Sequence, residues 1–97
     1  MKITFESKLW KYQGKAAWYF VTLPQEESLQ IKFANIFSRR GFGSIRVKAK
    51  ILNQEWQTSI FPDSKTKSYL LPIKSEIRKK VNLKDDSLIT VTIDMVI

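Results

Sequence analysis

Ile45, Val47, Ala49 and Ile51 alternate strictly with Arg46, Lys48 and Lys50. A register slip of one residue would turn three cations into the core, so this run can only be a strand with one buried face. The same period of two recurs along the chain. Ile3, Phe5 and Leu9 alternate with Lys2, Thr4, Glu6 and Lys8; Trp56, Thr58 and Ile60 with Gln57 and Ser59; Tyr69, Leu71 and Ile73 with Ser68, Leu70 and Pro72. At the far end Ile89, Val91, Ile93, Met95 and Ile97 alternate with Thr90, Thr92, Asp94 and Val96. Residues 16–23 supply a sixth strand, rich in aromatic and β-branched side chains (Trp18, Tyr19, Phe20, Val21, Thr22) and apolar on both faces. Six strands in a chain of 97 residues close most economically into a barrel, which removes the open edges. The length allows one domain, residues 1–97, and one core.

The connections carry their own signals. Pro24 ends the second strand, and Glu26 and Glu27 stand where acids favour the first turn of a helix. Leu29, Phe33, Ile36 and Phe37 then form one apolar stripe, expected to face the core and to cover the outside of the second strand. Arg39 and Arg40 fall in the last turn, and Gly41 is placed to stop the helix. Asn53 marks a turn through its tolerance of positive φ. Within residues 56–73, Pro62 is expected at the second position of a tight turn over residues 61–64, followed by a basic connection over residues 65–67. Ser75 is expected to cap a short helix running to Val81, with Ile77 and Val81 inward and Arg78, Lys79 and Lys80 outward.

Chemistry is constrained by what the composition lacks. There is no cysteine and no histidine, so disulfides, thiolate metal sites and the usual nucleophile and base pairs are unavailable, and no catalytic residue, metal ligand or cofactor is assigned. Asp85 and Asp86 are adjacent and point apart on an extended segment, while Glu26 and Glu27 are accounted for by the helix dipole. Asp63 and Ser64 read as ordinary turn residues. There is no apolar run long enough to span a bilayer and no secretory leader pattern, which makes a soluble cytoplasmic protein, with no membrane partner, the expectation.

Charge is the strongest compositional signal, with 17 Lys and Arg against 9 Asp and Glu, a net of +8. Three classes of function stay open. The first is a binding or interaction module in which Trp56, Asp63, Lys65, Lys67 and Tyr69, at the barrel mouth and central loop, hold a small ligand or a protein segment. The second is nucleic-acid binding by Arg39, Arg40, Arg46, Lys48 and Lys50, with Trp10, Tyr12 or Phe42 stacking on bases. The third is an enzyme using Asp63 or a lysine of lowered pKa.

Asn53 in a turn, Trp56, Thr58, Ser59, Pro62, Tyr69, Leu71, Pro72 and Ile73 on the following strands, and Ile77 with Arg78 on a short helix form an ordered pattern. Together with the earlier run Trp18, Tyr19, Phe20, Val21, Thr22, Leu23, Pro24, it resembles the bacterial family called domain of unknown function 1905, over nearly the whole chain. The resemblance implies a mainly β fold, a small closed six-stranded Greek-key barrel with one or two short helices, and implies no activity. The chain departs from the family pattern at Gln54, at Asp85 with Asp86, and over residues 64–66, where the family favours glycine. An anion cradle built from a glycine-rich loop is not to be expected here.

Overall fold

The computed structural model describes residues 2–14, 18–34 and 43–95. Six strands, β1 (Lys2–Lys11), β2 (Tyr19–Thr22), β3 (Ile45–Ile51), β4 (Gln54–Asp63), β5 (Ser68–Pro72) and β6 (Leu88–Met95), are joined with two short helices, α1 (Gln25–Ala34) and α2 (Ser75–Lys80). The strands close into an antiparallel barrel in the order β1-β2-β5-β4-β3-β6. β3, β4 and β5 form a meander, and β6 returns by the longer connection through α2 to lie beside β3, which is the Greek-key arrangement. β6 also pairs with β1 from Lys2↔Asp94 to Lys8↔Leu88, and this pairing seals the barrel.

The period-two pattern sets which side chains fill it. Ile3, Phe5, Leu9, Val47, Ala49, Ile51, Ile60, Leu71, Val91 and Ile93 are all buried, each at the parity that the alternation assigns to the interior. Leu23, Ile73 and Ile77 extend this core beyond the strand ends. The outside of β2 is covered differently from the sequence expectation. Phe20 lies among Trp10, Tyr12 and Trp18, with ring centroids 5.2, 6.4 and 6.1 Å away, while α1 packs on β5.

The expected orientation of α1 is also overturned. Leu29 and Phe33 are 55% and 70% exposed, and the inward residues are Ser28 and Ile31. Hydrogen bonding explains the choice. The pairing of β2 with β5 runs to Thr22↔Leu70, and the next pair would be Leu23 with Tyr69. Leu23 N donates to the Tyr69 carbonyl at 2.9 Å, but Tyr69 N donates to Ser28 Oγ at 3.1 Å. Turning Leu29 and Phe33 inward would rotate both Ser28 and Ile31 away, leaving a half-buried backbone donor without its acceptor and exposing a fully buried isoleucine. Ile36, Phe37, Arg39, Arg40, Gly41 and Phe42 lie outside the described residues.

One turn is misplaced in the sequence reading, a second is placed correctly but turns at the neighbouring residue, and one helix cap is shifted. Pro62 lies in β4, paired with Tyr69, and the turn spans residues 64–67. Tyr69 directs both its backbone N–H and its carbonyl towards β2 and α1, so Pro62↔Tyr69 is a pair without ladder hydrogen bonds, and a proline costs nothing there. On the other side of β4 the pairing with β3 has already ended at Ile45↔Ile60. In the β3–β4 turn the positive φ belongs to Leu52, at 55°, and not to Asn53. Lys74, not Ser75, is the N-cap of α2, without a side-chain cap bond, and Ser75 is the first helical residue.

Candidate functional site

A cleft of about 340 Å3 opens on the barrel wall between β4 and the end of β5. Its origin can be traced to one residue. Asp63↔Ser68 and Phe61↔Leu70 are successive ladder pairs of β4 and β5, so the next hydrogen-bonded pair would be Ser59 with Pro72. Ile73 N bonds to the Tyr19 carbonyl at 2.9 Å, towards β2, which leaves the backbone nitrogen of Pro72 on the β4 side. That nitrogen carries no hydrogen. The described pairing of β4 with β5 stops at Phe61↔Leu70, and the two strands separate around Thr58, Pro72 and Ile73, which line the cleft.

Aromatic side chains from three segments wall this opening. Trp56 from β4 is 7% exposed, Tyr19 begins β2, and Trp18, just ahead of β2, is 54% exposed. Trp18 stacks on Phe20 with the ring planes 12° apart, which fixes its orientation while leaving much of its surface to solvent. Lys74, Ser75 and Arg78 contribute the opposite rim from α2 and the residue before it. Arg78 is half-buried, contrary to the outward placement expected from sequence. Its guanidinium lies 3.9 Å from the Tyr19 ring centroid, and its Nε donates to the Ile73 carbonyl at 3.3 Å. The Tyr19 hydroxyl is hydrogen-bonded to Asp85, which raises the phenol above its usual 10.0, with burial adding and Arg78 opposing. Aromatic packing and one hydrogen bond thus hold Arg78 in a defined place at the cleft.

Of the residues expected to form a ligand site, Trp56 lines this cleft, and the other four lie elsewhere. Asp63 is at the far end of β4, seven residues on and about 24 Å away along the strand. Its carboxylate accepts hydrogen bonds from Thr66 Oγ1 at 2.7 Å and Thr66 N at 3.2 Å. The Thr66 hydroxyl holds it below its usual 3.8; burial opposes this, and the backbone N–H groups of the turn and the Lys65 charge add to the lowering. Lys65 and Lys67 are exposed in that turn. Tyr69 is half-buried and packs against the core, and burial raises its phenol pKa. The turn is therefore stabilised by Asp63, and the residues around it are not gathered on the cleft. Except for Trp56, sequence reading missed every lining residue of the cleft, Trp18, Tyr19, Lys74 and Arg78 among them; the signal available was Pro72 at a ladder position.

The cations of β3 share one outer face, as alternation requires. Lys48 is flanked in register by Gln57 and Asp94, and Lys50 by Glu55 and Thr92. Arg46 lies opposite Ser59, whose hydroxyl it reaches at 3.5 Å. The row of three cations is thus bordered by two acids on neighbouring strands. Arg39, Arg40 and Phe42 of the same expected surface are outside the described residues. Trp10 is half-buried, its Nε1 donating to Thr22 Oγ1 at 2.9 Å, and Tyr12 is exposed beside Phe20. Among the described residues no group of three acidic side chains gathers as a metal site, and no helix is long and apolar enough to cross a membrane.

No curated protein matches this sequence. The sequence pattern of the family described as domain of unknown function (DUF1905) matches residues 5–93, which takes in every strand at least in part, both helices and every lining residue of the cleft. With the match spanning nearly the whole barrel, the chain belongs to the DUF1905 family.

Proposed function

We propose that this protein is a non-enzymatic binding module whose site is the cleft between β4 and β5. The observation that carries the reading is the joint placement of Trp18, Tyr19 and Trp56 around an opening of about 340 Å3 that the proline-interrupted ladder holds apart. Ligand sites are typically concave, mostly apolar and provided with a few fixed polar groups, and volumes begin at about 300 Å3. Here Gln57, Thr58, Lys74, Ser75 and Arg78 are polar groups set among Trp18, Tyr19, Trp56, Pro72 and Ile73. The volume suits a small molecule or a single inserted side chain of a partner.

A thermal-shift screen of small polar and aromatic compounds against the protein and its Trp18→Ala variant tests this. Trp18 is more than half exposed, so the variant keeps the fold. A ligand at a hundred times its Kd stabilises by about 2.7 kcal/mol, a shift of roughly 10–20 °C for a domain of this size. Stabilising compounds whose effect drops in Trp18→Ala support the cleft. A screen without hits, or hits untouched by the substitution, would overturn it.

A further inference from the structure

Resting on that reading of the cleft, we propose that its ligand is a small planar aromatic carboxylate. Its ring would lie along Trp18, and its carboxylate would meet the guanidinium of Arg78. Three observations lead there. The walls Trp18, Tyr19 and Trp56 are flat, and the plane of Trp18 is set in advance by its stacking on Phe20. A planar ring gains area on such a wall at little ordering cost, whereas a bulky saturated ring does not.

Charge supplies the second observation. The ionisable side chains lining the cleft, Lys74, Arg78 and Tyr19, include no carboxylate. Glu76 lies 3.2 Å from Lys80 and 4.0 Å from Lys74, and is not among the residues lining the cleft. Asp85 is hydrogen-bonded to the Tyr19 hydroxyl, a neutral donor that leaves the carboxylate charge in place, and is not among the residues lining the cleft. Arg78 uses Nε on the Ile73 carbonyl, and its two terminal amino groups have no protein acceptor among the described residues. A guanidinium fixed through its Nε and its stacked face presents those amino groups as a ready-made fork for a carboxylate. Size is the third: about 340 Å3 is near the lower bound of ligand cavities, which favours one aromatic ring system over a nucleotide.

Three probes separate the elements of the proposal: indole-3-carboxylate, its uncharged isostere indole-3-carboxamide, and the non-planar cyclohexanecarboxylate. Calorimetric titration gives their Kd values, and 15N-resolved NMR of the indole N–H groups shows where they bind. We expect indole-3-carboxylate to bind about tenfold more tightly than either other probe, the size of one charge-assisted contact or one stacking contact. The Trp18 and Trp56 indole signals should shift most. Arg78→Lys should retain part of the preference for the carboxylate over the carboxamide, and Arg78→Gln should abolish it. Because Arg78 also packs on Tyr19, Lys74→Gln serves as a second variant on an exposed side chain, with a smaller loss of the same preference expected. Equal Kd values for carboxylate and carboxamide, equal values for the planar and saturated acids, shifts centred away from Trp18 and Trp56, or no binding by any probe at millimolar concentration would each overturn the inference. Failure here alongside Trp18-dependent hits in the thermal-shift screen would remove the ligand class and leave the binding module standing; a blank screen would remove both.

Discussion

Leu52 holds φ at 55° in the two-residue turn between β3 and β4, and its side chain is 72% exposed. An L-residue in the left-handed region carries a cost of about 1 kcal/mol, and so exposed a leucine recovers little of it by packing. Leu52→Gly is therefore expected to stabilise the protein by about 0.5–1 kcal/mol, read as a higher urea midpoint at unchanged slope. A lower midpoint would mean that leucine contacts outweigh the strain. Asp63 gives the second prediction at this scale. Thr66 favours its ionised form, so the folded-state pKa lies below 3.8, and the stabilisation is present above that pH and lost as pH falls through the lower folded value. Asp63→Ala should cost a small amount of stability at pH 7, and the gap to the unsubstituted protein should narrow below pH 3.8. A gap that is constant from pH 7 to 3 would show that the hydrogen bonds to the carboxylate are not its source. The tendency of Asp63 to serve a turn was legible in the sequence. The left-handed residue was not, because asparagine's intrinsic tolerance points to Asn53, whereas the hairpin register decides which of two adjacent residues turns.

Helix α1 shows how an element can have the right period and the wrong phase. Leu29 and Phe33 are spaced for one face, yet the barrel takes the face with Ser28 and Ile31, because Tyr69 N at the end of the β2–β5 ladder needs an acceptor. A requirement that arises from a strand forty residues away leaves no trace in local hydropathy. Ile31→Ala is expected to cost about 2–4 kcal/mol, Ser28→Ala about 1–3 kcal/mol through the stranded donor, and Leu29→Ser or Phe33→Ser no more than about 0.5 kcal/mol. Denaturant melts of the four variants check the order, and a large loss at Phe33 would reverse the assigned face. The β4–β5 pair yields the fourth prediction. If the absent N–H of Pro72 is what parts these strands, Pro72→Val should let the ladder extend to Ser59, giving a slowly exchanging amide at position 72 and weakening any ligand of the cleft. A rapidly exchanging amide with unchanged ligand affinity would show that the cleft is held open by the packing of α2 instead.

At the scale of the whole barrel, five strands and their inward faces were read from alternation and the sixth, β2, from its aromatic and β-branched content, and the closed mainly β fold followed from their number. Their order around the barrel was reachable through family resemblance but not through periodicity, because a period of two names a face and not a neighbour. That order also decides what the net charge of +8 amounts to. Read along the chain, Arg46, Lys48 and Lys50 form an uninterrupted basic row. Across the sheet, β4 and β6 set Glu55 beside Lys50 and Asp94 beside Lys48, so the field of the row is partly cancelled within one strand spacing of about 4.8 Å. Four neutralised phosphates on a single strand would give a salt slope of about −3. The bordered row should instead give weak oligonucleotide binding with a slope no steeper than about −1 to −2. Replacing both acids, Glu55→Gln with Asp94→Asn, raises the net charge from +8 to +10 (8 + 2) and should steepen the slope and tighten binding at low salt. Titration of a fluorescent single-stranded oligonucleotide at 50 and 200 mM salt measures both quantities. A slope of about −3 or steeper in the unsubstituted protein would make this face the functional one and displace the cleft from that role.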